Sequence, residues 1–165
     1  MEKKRKILII SIIVVVVLII IITTALVLMS KEKVLTPEEV QEKIEYEEQE
    51  RLSELGEKER MEDYLQKYIS AVSDKDYETA YAYLYNEFKE IYFPTLDSFV
   101  EYVNGKYPKT FTINQRDMER QGYYYIIYST ITNFMNIGQE NNEGFIQNFI
   151  IKENGLNDFV LSFSV

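Results

Sequence analysis

The sequence predicts an α+β domain held behind an N-terminal membrane anchor. A long apolar run opens the chain, a charged segment almost free of aromatic residues follows, and the apolar period changes from helical to strand-like after Pro108. We therefore expect a transmembrane helix, a helical stalk, and three helices packed on a curved, cone-like antiparallel sheet of about four strands. The predicted segments are a cytoplasmic basic tail at 1–6, the transmembrane helix at 7–29, the charged stalk at 30–57 and an extracytoplasmic domain at 58–165.

The apolar run, Ile7–Met29, has 23 residues and no charge. As a helix it would be roughly 35 Å long, which is enough to cross the hydrocarbon core of a bilayer. A cleaved signal peptide normally has a shorter apolar core followed by a small-residue cleavage site, so we predict an uncleaved single-pass anchor. Lys3, Lys4, Arg5 and Lys6 precede the run, and the positive-inside rule places them in the cytoplasm and the rest of the chain outside it.

The composition excludes several classes of site. The chain has no Cys and no His, so it has no disulfide, no thiol nucleophile and no imidazole base or metal ligand. Four of its 18 basic residues and one of its 27 acidic residues lie in residues 1–6, and the apolar run carries no charge. The remainder therefore has 14 bases and 26 acids, a net charge of −12. We expect no nucleic acid partner for so acidic a domain, and no cofactor or metal.

The stalk begins with a helix-start signal. Thr36 is the expected N-cap, Pro37 the first helical residue and Glu39 the second half of a capping box. A thin apolar seam follows at Val40, Ile44, Leu52 and Leu55. It is compatible with a solvated spacer or with a short homo-oligomeric coiled coil, and Gly56 is the expected hinge before the domain.

Three helices are predicted next. The first covers Lys58–Ser73, the second is a single helix over Tyr77–Tyr92, and the third begins at the N-cap Thr95 and ends at Gly105. The first helix buries one apolar face, made of Met61, Leu65, Tyr68, Ile69 and Val72.

The strands are predicted from alternating apolar residues. They cover Thr110–Asn114, Tyr123–Met135, Phe145–Lys152 and Phe159–Val165. The polar stretch QRDMERQG after the first strand is interpreted as a strand end or turn, and the segments NIGQENNEG and ENGLND as hairpin turns.

The stretches AVSDKDYETAYAYL and FKEIYFPTLDSFVEYV, followed by the strands, resemble the nuclear-transport-factor-2-like (cystatin-type cone) superfamily. Asp76, Tyr77, Ala80 and Tyr81 match the turn into its second helix, and Thr95 and Phe99 match the start of its third. The resemblance covers roughly residues 58–165. That superfamily includes enzymes, ligand binders, accessory domains of cell-wall enzymes and assembly components of conjugation and secretion machines, so the fold alone does not assign a function.

The aromatic residues suggest two candidate sites. Several tyrosines facing the sheet indicate either ordinary core packing or a small-ligand cavity, since each phenol needs a polar partner. The cavity would be lined by Tyr77, Tyr81, Tyr85, Phe88, Phe149 and Phe163.

The long second strand has large residues on both faces, and only one face can line the cone. The other would be an interface made of Tyr124, Ile126, Tyr128 and Phe134. It could be covered by a second copy, by a different protein or by the chain itself.

No catalytic constellation is predicted. Asp97 is expected to be a surface acid in a helix start, and Asp117 and Glu119 lie in a polar segment. We therefore expect a membrane-anchored, non-catalytic interaction or scaffold domain, for which the resemblance suggests an envelope assembly such as a conjugation or type IV secretion machine. The alternative is a ligand-binding or sensory module that uses the tyrosine-lined cavity.

Overall fold

A computed structural model describes residues 19–24, 36–136 and 144–165 and divides the chain into two units, Met1–Ile44 and Glu45–Val165. Residues 19–24 are helical. No helix in the described ranges is both long and apolar enough to cross a bilayer. Apart from those six residues, the predicted span at 7–29 lies outside the described residues, as do the basic tail and most of the segment NIGQENNEG.

The α+β class and the four-stranded antiparallel sheet are confirmed. The helices are α1 (Pro37–Glu54), α2 (Glu57–Ser73), α3 (Tyr77–Ala82), α4 (Asn86–Tyr92) and α5 (Leu96–Lys106). The strands are β1 (Phe111–Gln121), β2 (Tyr124–Asn133), β3 (Phe145–Gly155) and β4 (Asp158–Phe163), and a 3-10 turn at Phe134–Asn136 follows β2. The strands lie in chain order in the sheet.

The helices start where their caps predict. Thr36 and Glu39 form the expected capping box, with the Thr36 N–H 2.9 Å from a Glu39 carboxylate oxygen and the Glu39 N–H 3.2 Å from the Thr36 hydroxyl. Thr95 accepts a hydrogen bond from the Ser98 N–H at 3.2 Å. The predicted apolar face of α2 is buried, with Tyr64 and Ala71 added to it.

The compact unit begins inside the predicted stalk rather than at residue 58. Leu52 is fully buried in the core, so it is not available to a coiled-coil partner. Arg51 contacts Asp63 of α2 at 2.8 Å, and Lys67 of α2 contacts Glu48 at 2.6 Å. These contacts hold the last turns of α1 against α2, so the Gly56 segment is a fixed turn within the unit.

The prediction of one helix over Tyr77–Tyr92 is wrong. The helical hydrogen-bonding pattern stops after Ala82, and Leu84 forms a parallel bridge with Leu161 of β4. The Tyr85 N–H donates to the Leu161 carbonyl at 2.8 Å, and the Leu161 N–H donates to the Tyr83 carbonyl at 2.9 Å. The chain therefore covers the outer edge of β4 before α4 begins.

The first strand is longer than predicted, because the stretch QRDME continues β1. A bulge between Gln115 and Asp117 shifts the register there. Beyond it, Met118 faces the core, whereas Asp117 and Glu119 point to the other side of the sheet. The prediction ended this strand at Asn114 for two reasons. The bulge interrupts the alternation of apolar and polar residues, and most of the residues that follow it are charged.

Candidate functional site

The three phenylalanines of the predicted cavity fill the core. Phe88, Phe149 and Phe163 are at most 8% exposed. The ring centre of Phe163 lies 5.0 Å from that of Phe88 and 6.1 Å from that of Phe149. Rings at these distances pack directly against each other, so these residues act as filling rather than as the wall of a space.

The three tyrosines of that set lie in different places. Tyr77 is half-buried, and its hydroxyl lies 3.0 Å from the Asn104 side-chain oxygen. The Tyr81 hydroxyl donates to the Phe93 carbonyl at 2.8 Å. Tyr85 is 37% exposed beside β4. The six predicted residues therefore do not surround one cavity.

A different group of polar side chains lies in the core between α2, α5 and the sheet. We call Tyr68, Tyr102, Tyr107 and Gln147 the tyrosine cluster. Gln147 is fully buried, and its side-chain oxygen accepts a hydrogen bond from the Tyr107 hydroxyl. Its side-chain nitrogen lies 3.2 Å from the Tyr102 hydroxyl and 3.3 Å from the Ser164 carbonyl. These contacts fix the orientation of the amide.

Burial makes the phenols of the tyrosine cluster hard to ionise. It is the main cause that raises the pKa of Tyr68, Tyr102 and Tyr107, since a phenolate loses its hydration there. The Tyr68 hydroxyl has no hydrogen-bond partner in the part of the chain that the structure describes, although Tyr107 is its neighbour. The cluster consists of neutral side chains and contains no charged group that could act as an acid or base.

A second polar group ties α2 to the β3–β4 hairpin. Arg60 binds both carboxylate oxygens of Glu153, at 2.7 and 2.8 Å, and the Tyr64 hydroxyl lies 2.6 Å from the same carboxylate. The hydrogen bonds from Arg60 are the main reason that the pKa of Glu153 is lowered. Because this carboxylate is fully engaged, we assign it a structural role.

The predicted interface residues of β2 lie on the face of the sheet that α2 and α5 leave open. Tyr124 is 43% exposed, and Ile126 and Tyr128 are half-buried. Phe134 lies beyond the end of β2, in the 3-10 turn. The pairing of β2 with β3 and of β3 with β4 adds residues that the strand-by-strand prediction missed. We define the outer face as the apolar row Tyr124, Ile126, Tyr128, Ile146, Ile150 and Val160.

The acids considered for catalysis are at the surface. Asp97 is exposed in the first turn of α5. Asp117 and Glu119 are exposed on the β1 side of the outer face, where Glu119 accepts a hydrogen bond from Tyr128 at 3.2 Å. Within the described ranges, no three acidic side chains are grouped so that they could hold a metal ion.

The tyrosine cluster was not predicted because its members come from distant parts of the sequence. Tyr107 and Gln147 are 40 residues apart. Periodicity predicts that Tyr68 faces inwards, but it does not identify the group that its hydroxyl meets.

Comparison with known proteins does not add to this description. No protein-family model, no curated protein and no solved structure matches the chain.

Proposed function

We propose that this chain is a membrane-anchored, extracytoplasmic and non-catalytic interaction domain that belongs to an envelope assembly, such as a conjugation or type IV secretion machine. Its anchor would be residues 7–29, and its domain would have the cone-like form of the nuclear-transport-factor-2-like superfamily. The observation that carries the proposal is the apolar row on the outer face.

Polar residues are the norm on the solvated side of an antiparallel sheet, but here six large apolar residues stand among the polar Thr130, Asn148, Lys152 and Ser162. Ile146 is 64% exposed and lies opposite Thr130, diagonal to Tyr128. Ile150 is 39% exposed and lies opposite Ile126, between Tyr124 and Tyr128. Tyrosine and isoleucine side chains grouped in this way are typical of surfaces that a partner covers.

The edges of the sheet are less suited to a partner. The bridge between Leu84 and Leu161 covers the free edge of β4. The β1 edge carries a bulge and a run of charges from Arg116 to Arg120, both of which discourage strand addition. The partner would therefore bind to the face of the sheet rather than extend it.

Charge favours a different protein over a second copy. Residues 30–165 carry a net charge of −12, so two copies repel each other at long range. Asp117 and Glu119 border the outer face on its β1 side. We infer a protein partner with an apolar surface bordered by Lys or Arg side chains.

Site-specific photo-crosslinking of the full-length chain in its native membranes tests this proposal. A photoreactive residue at Ile146 should give one discrete adduct with another protein, and the same residue at the exposed Glu101 of α5 should not. The double variant Asp117→Lys/Glu119→Lys should reduce the Ile146 adduct at least fivefold. The matched reversal Glu78→Lys/Glu90→Lys, on α3 and α4, should leave it unchanged.

Three results would count against the proposal. An adduct at twice the 19.6 kDa of the chain would show self-association instead. Equal adducts at Ile146 and Glu101 would show that the outer face has no special role, and an adduct that is insensitive to the charge reversal would exclude a basic border on the partner.

A further inference from the structure

A surface cleft of about 390 Å³ lies where the ends of α2 and α5 meet the starts of α3 and β1. This volume is typical of a small-molecule site. The lining residues are Val72, Ser73, Lys75, Tyr77, Val103, Asn104, Tyr107, Pro108, Lys109 and Phe111. None is acidic, although acids outnumber bases by 26 to 14 beyond residue 29. The lining therefore has two lysines, Lys75 and Lys109, and no acid.

The lining is divided by polarity. Val72, Val103 and Tyr107 are buried and Phe111 is half-buried, and together they form an apolar floor. Exposed donors surround it, because Ser73, Lys75, Asn104 and Lys109 all lie at the surface. The Tyr77 hydroxyl donates to the side-chain oxygen of Asn104 at 3.0 Å.

Lys75 has a backbone conformation that a lysine rarely adopts. Its φ is +62°, in the left-handed region that favours glycine and asparagine. It forms no ion pair with any residue that the structure describes, even though Asp74 and Asp76 flank it. The Asp76 carboxylate instead accepts a hydrogen bond from the Thr79 N–H at 3.2 Å and caps α3. The Lys75 N–H donates to the Val72 carbonyl at 3.2 Å and the Asp76 N–H donates to the Ala71 carbonyl at 2.9 Å, so the positive φ serves to end α2. The backbone of Lys75 is thus held in place, while its side chain has no ion-pair partner among the described residues.

We propose that this cleft binds a small organic anion, a carboxylate or phosphate on a compact apolar body. Lys75 and Lys109 would bind the anionic group, and the Asn104 amide and Ser73 hydroxyl would donate to it. The apolar body would lie against Val72, Val103 and Phe111. This site is distinct from the outer face and does not depend on the proposed protein partner.

The test uses benzoate as the probe and its neutral analogue benzamide as the comparison. The full-length chain, in nanodiscs of zwitterionic lipid, is followed through the methyl NMR signals of Val72 and Val103. We expect benzoate to shift both signals saturably and benzamide to bind at least tenfold more weakly. Lys75→Gln/Lys109→Gln should weaken benzoate binding at least tenfold, whereas Lys58→Gln/Lys152→Gln, at lysines outside the cleft, should not change it.

Lys75→Gly separates a binding role from a structural one. Glycine relieves the strained φ, so we expect the urea midpoint of this variant to rise while its affinity for benzoate falls. Equal binding of benzoate and benzamide would overturn the proposal, as would unchanged affinity in Lys75→Gly. If the valine signals move only in nanodiscs that contain phosphatidylglycerol, the ligand is a lipid headgroup and the small-molecule assignment is wrong.

Discussion

Tyr68 and Tyr107 bury neighbouring phenols, but only Tyr107 donates a hydrogen bond, to Gln147. The two hydroxyl groups approach each other without the geometry of a hydrogen bond. A buried hydroxyl without a partner loses its hydration and gains nothing in return. The tyrosine hydroxyl is therefore expected to stabilise the folded state at position 107 and to destabilise it at position 68.

Replacing each tyrosine by phenylalanine should separate these contributions. Tyr107→Phe leaves the Gln147 oxygen without its donor and should lower the free energy of unfolding by about 1–3 kcal/mol. Tyr68→Phe removes an unpaired hydroxyl and should be neutral or stabilising by up to about 1 kcal/mol. Urea unfolding of the two variants, monitored by circular dichroism, measures both effects. A larger loss for Tyr68→Phe than for Tyr107→Phe would contradict this description.

The sequence predicted which residues of α2 are buried, but it did not predict which polar groups their side chains contact. The three- and four-residue spacing of Met61, Leu65 and Tyr68 correctly indicated the inner face of α2. The same pattern contains nothing about Glu153, which lies 89 residues from its partner Tyr64. Such contacts depend on how the sheet is placed against α2.

At the scale of elements, local signals located the ends of helices but not the break within one. Thr36 and Thr95 cap their helices as predicted because a cap is a contact within three residues. The break at Leu84 has no proline or glycine to mark it. The hydrogen bonds to Leu161 compensate for the helical ones that are lost there, so tertiary structure overrides helix propensity.

The variant Tyr85→Pro tests the bridge to β4. Tyr85 has φ −59° and ψ 136°, which proline adopts without strain, so the substitution mainly removes the N–H that donates to Leu161. We expect a loss of about 1 kcal/mol in the free energy of unfolding relative to Tyr85→Ala, which keeps that N–H. Equal stability of the two variants would mean that the hydrogen bond from the Tyr85 N–H to Leu161 contributes nothing to the fold.

At the scale of the whole molecule, stability should depend on pH at both extremes and little in between. On the acid side, hydrogen bonds from Arg51 are the main cause that lowers the pKa of Glu48 to about 2, and Glu153 is lowered in the same direction. The folded state therefore binds protons less readily than the unfolded state. The stability that these carboxylates contribute is fully present above their ordinary pKa of 4.5, and it is lost as the pH falls towards 2.

On the alkaline side the sign is reversed. Burial and the hydrogen bond to Glu153 raise the pKa of Tyr64 to about 12, and the buried Tyr68 and Tyr107 are also raised. Unfolded tyrosines lose their protons near pH 10, before the folded ones do, so stability falls as the pH rises from 10.

Urea unfolding followed by circular dichroism should therefore give a plateau from about pH 6 to 9, where no His or Cys side chain titrates. Glu48→Gln should flatten the acid limb, and Glu54→Gln, at an exposed position of α1, should not. A stability change centred between pH 6 and 8 would contradict this assignment.

The contact of Arg60 and Tyr64 with Glu153 connects two distant parts of a chain that has no cysteine and therefore no disulfide. It joins positions 93 residues apart, and Lys67 adds a contact of 2.6 Å to Asn157 in the same hairpin. Unlike a disulfide, it exists only in the folded state and leaves the entropy of the unfolded chain unchanged. Its expected consequence is cooperativity, because detaching the β3–β4 hairpin while α2 stays in place would break these contacts. Partly unfolded forms with a free hairpin edge, which would expose strands to aggregation, should therefore be rare.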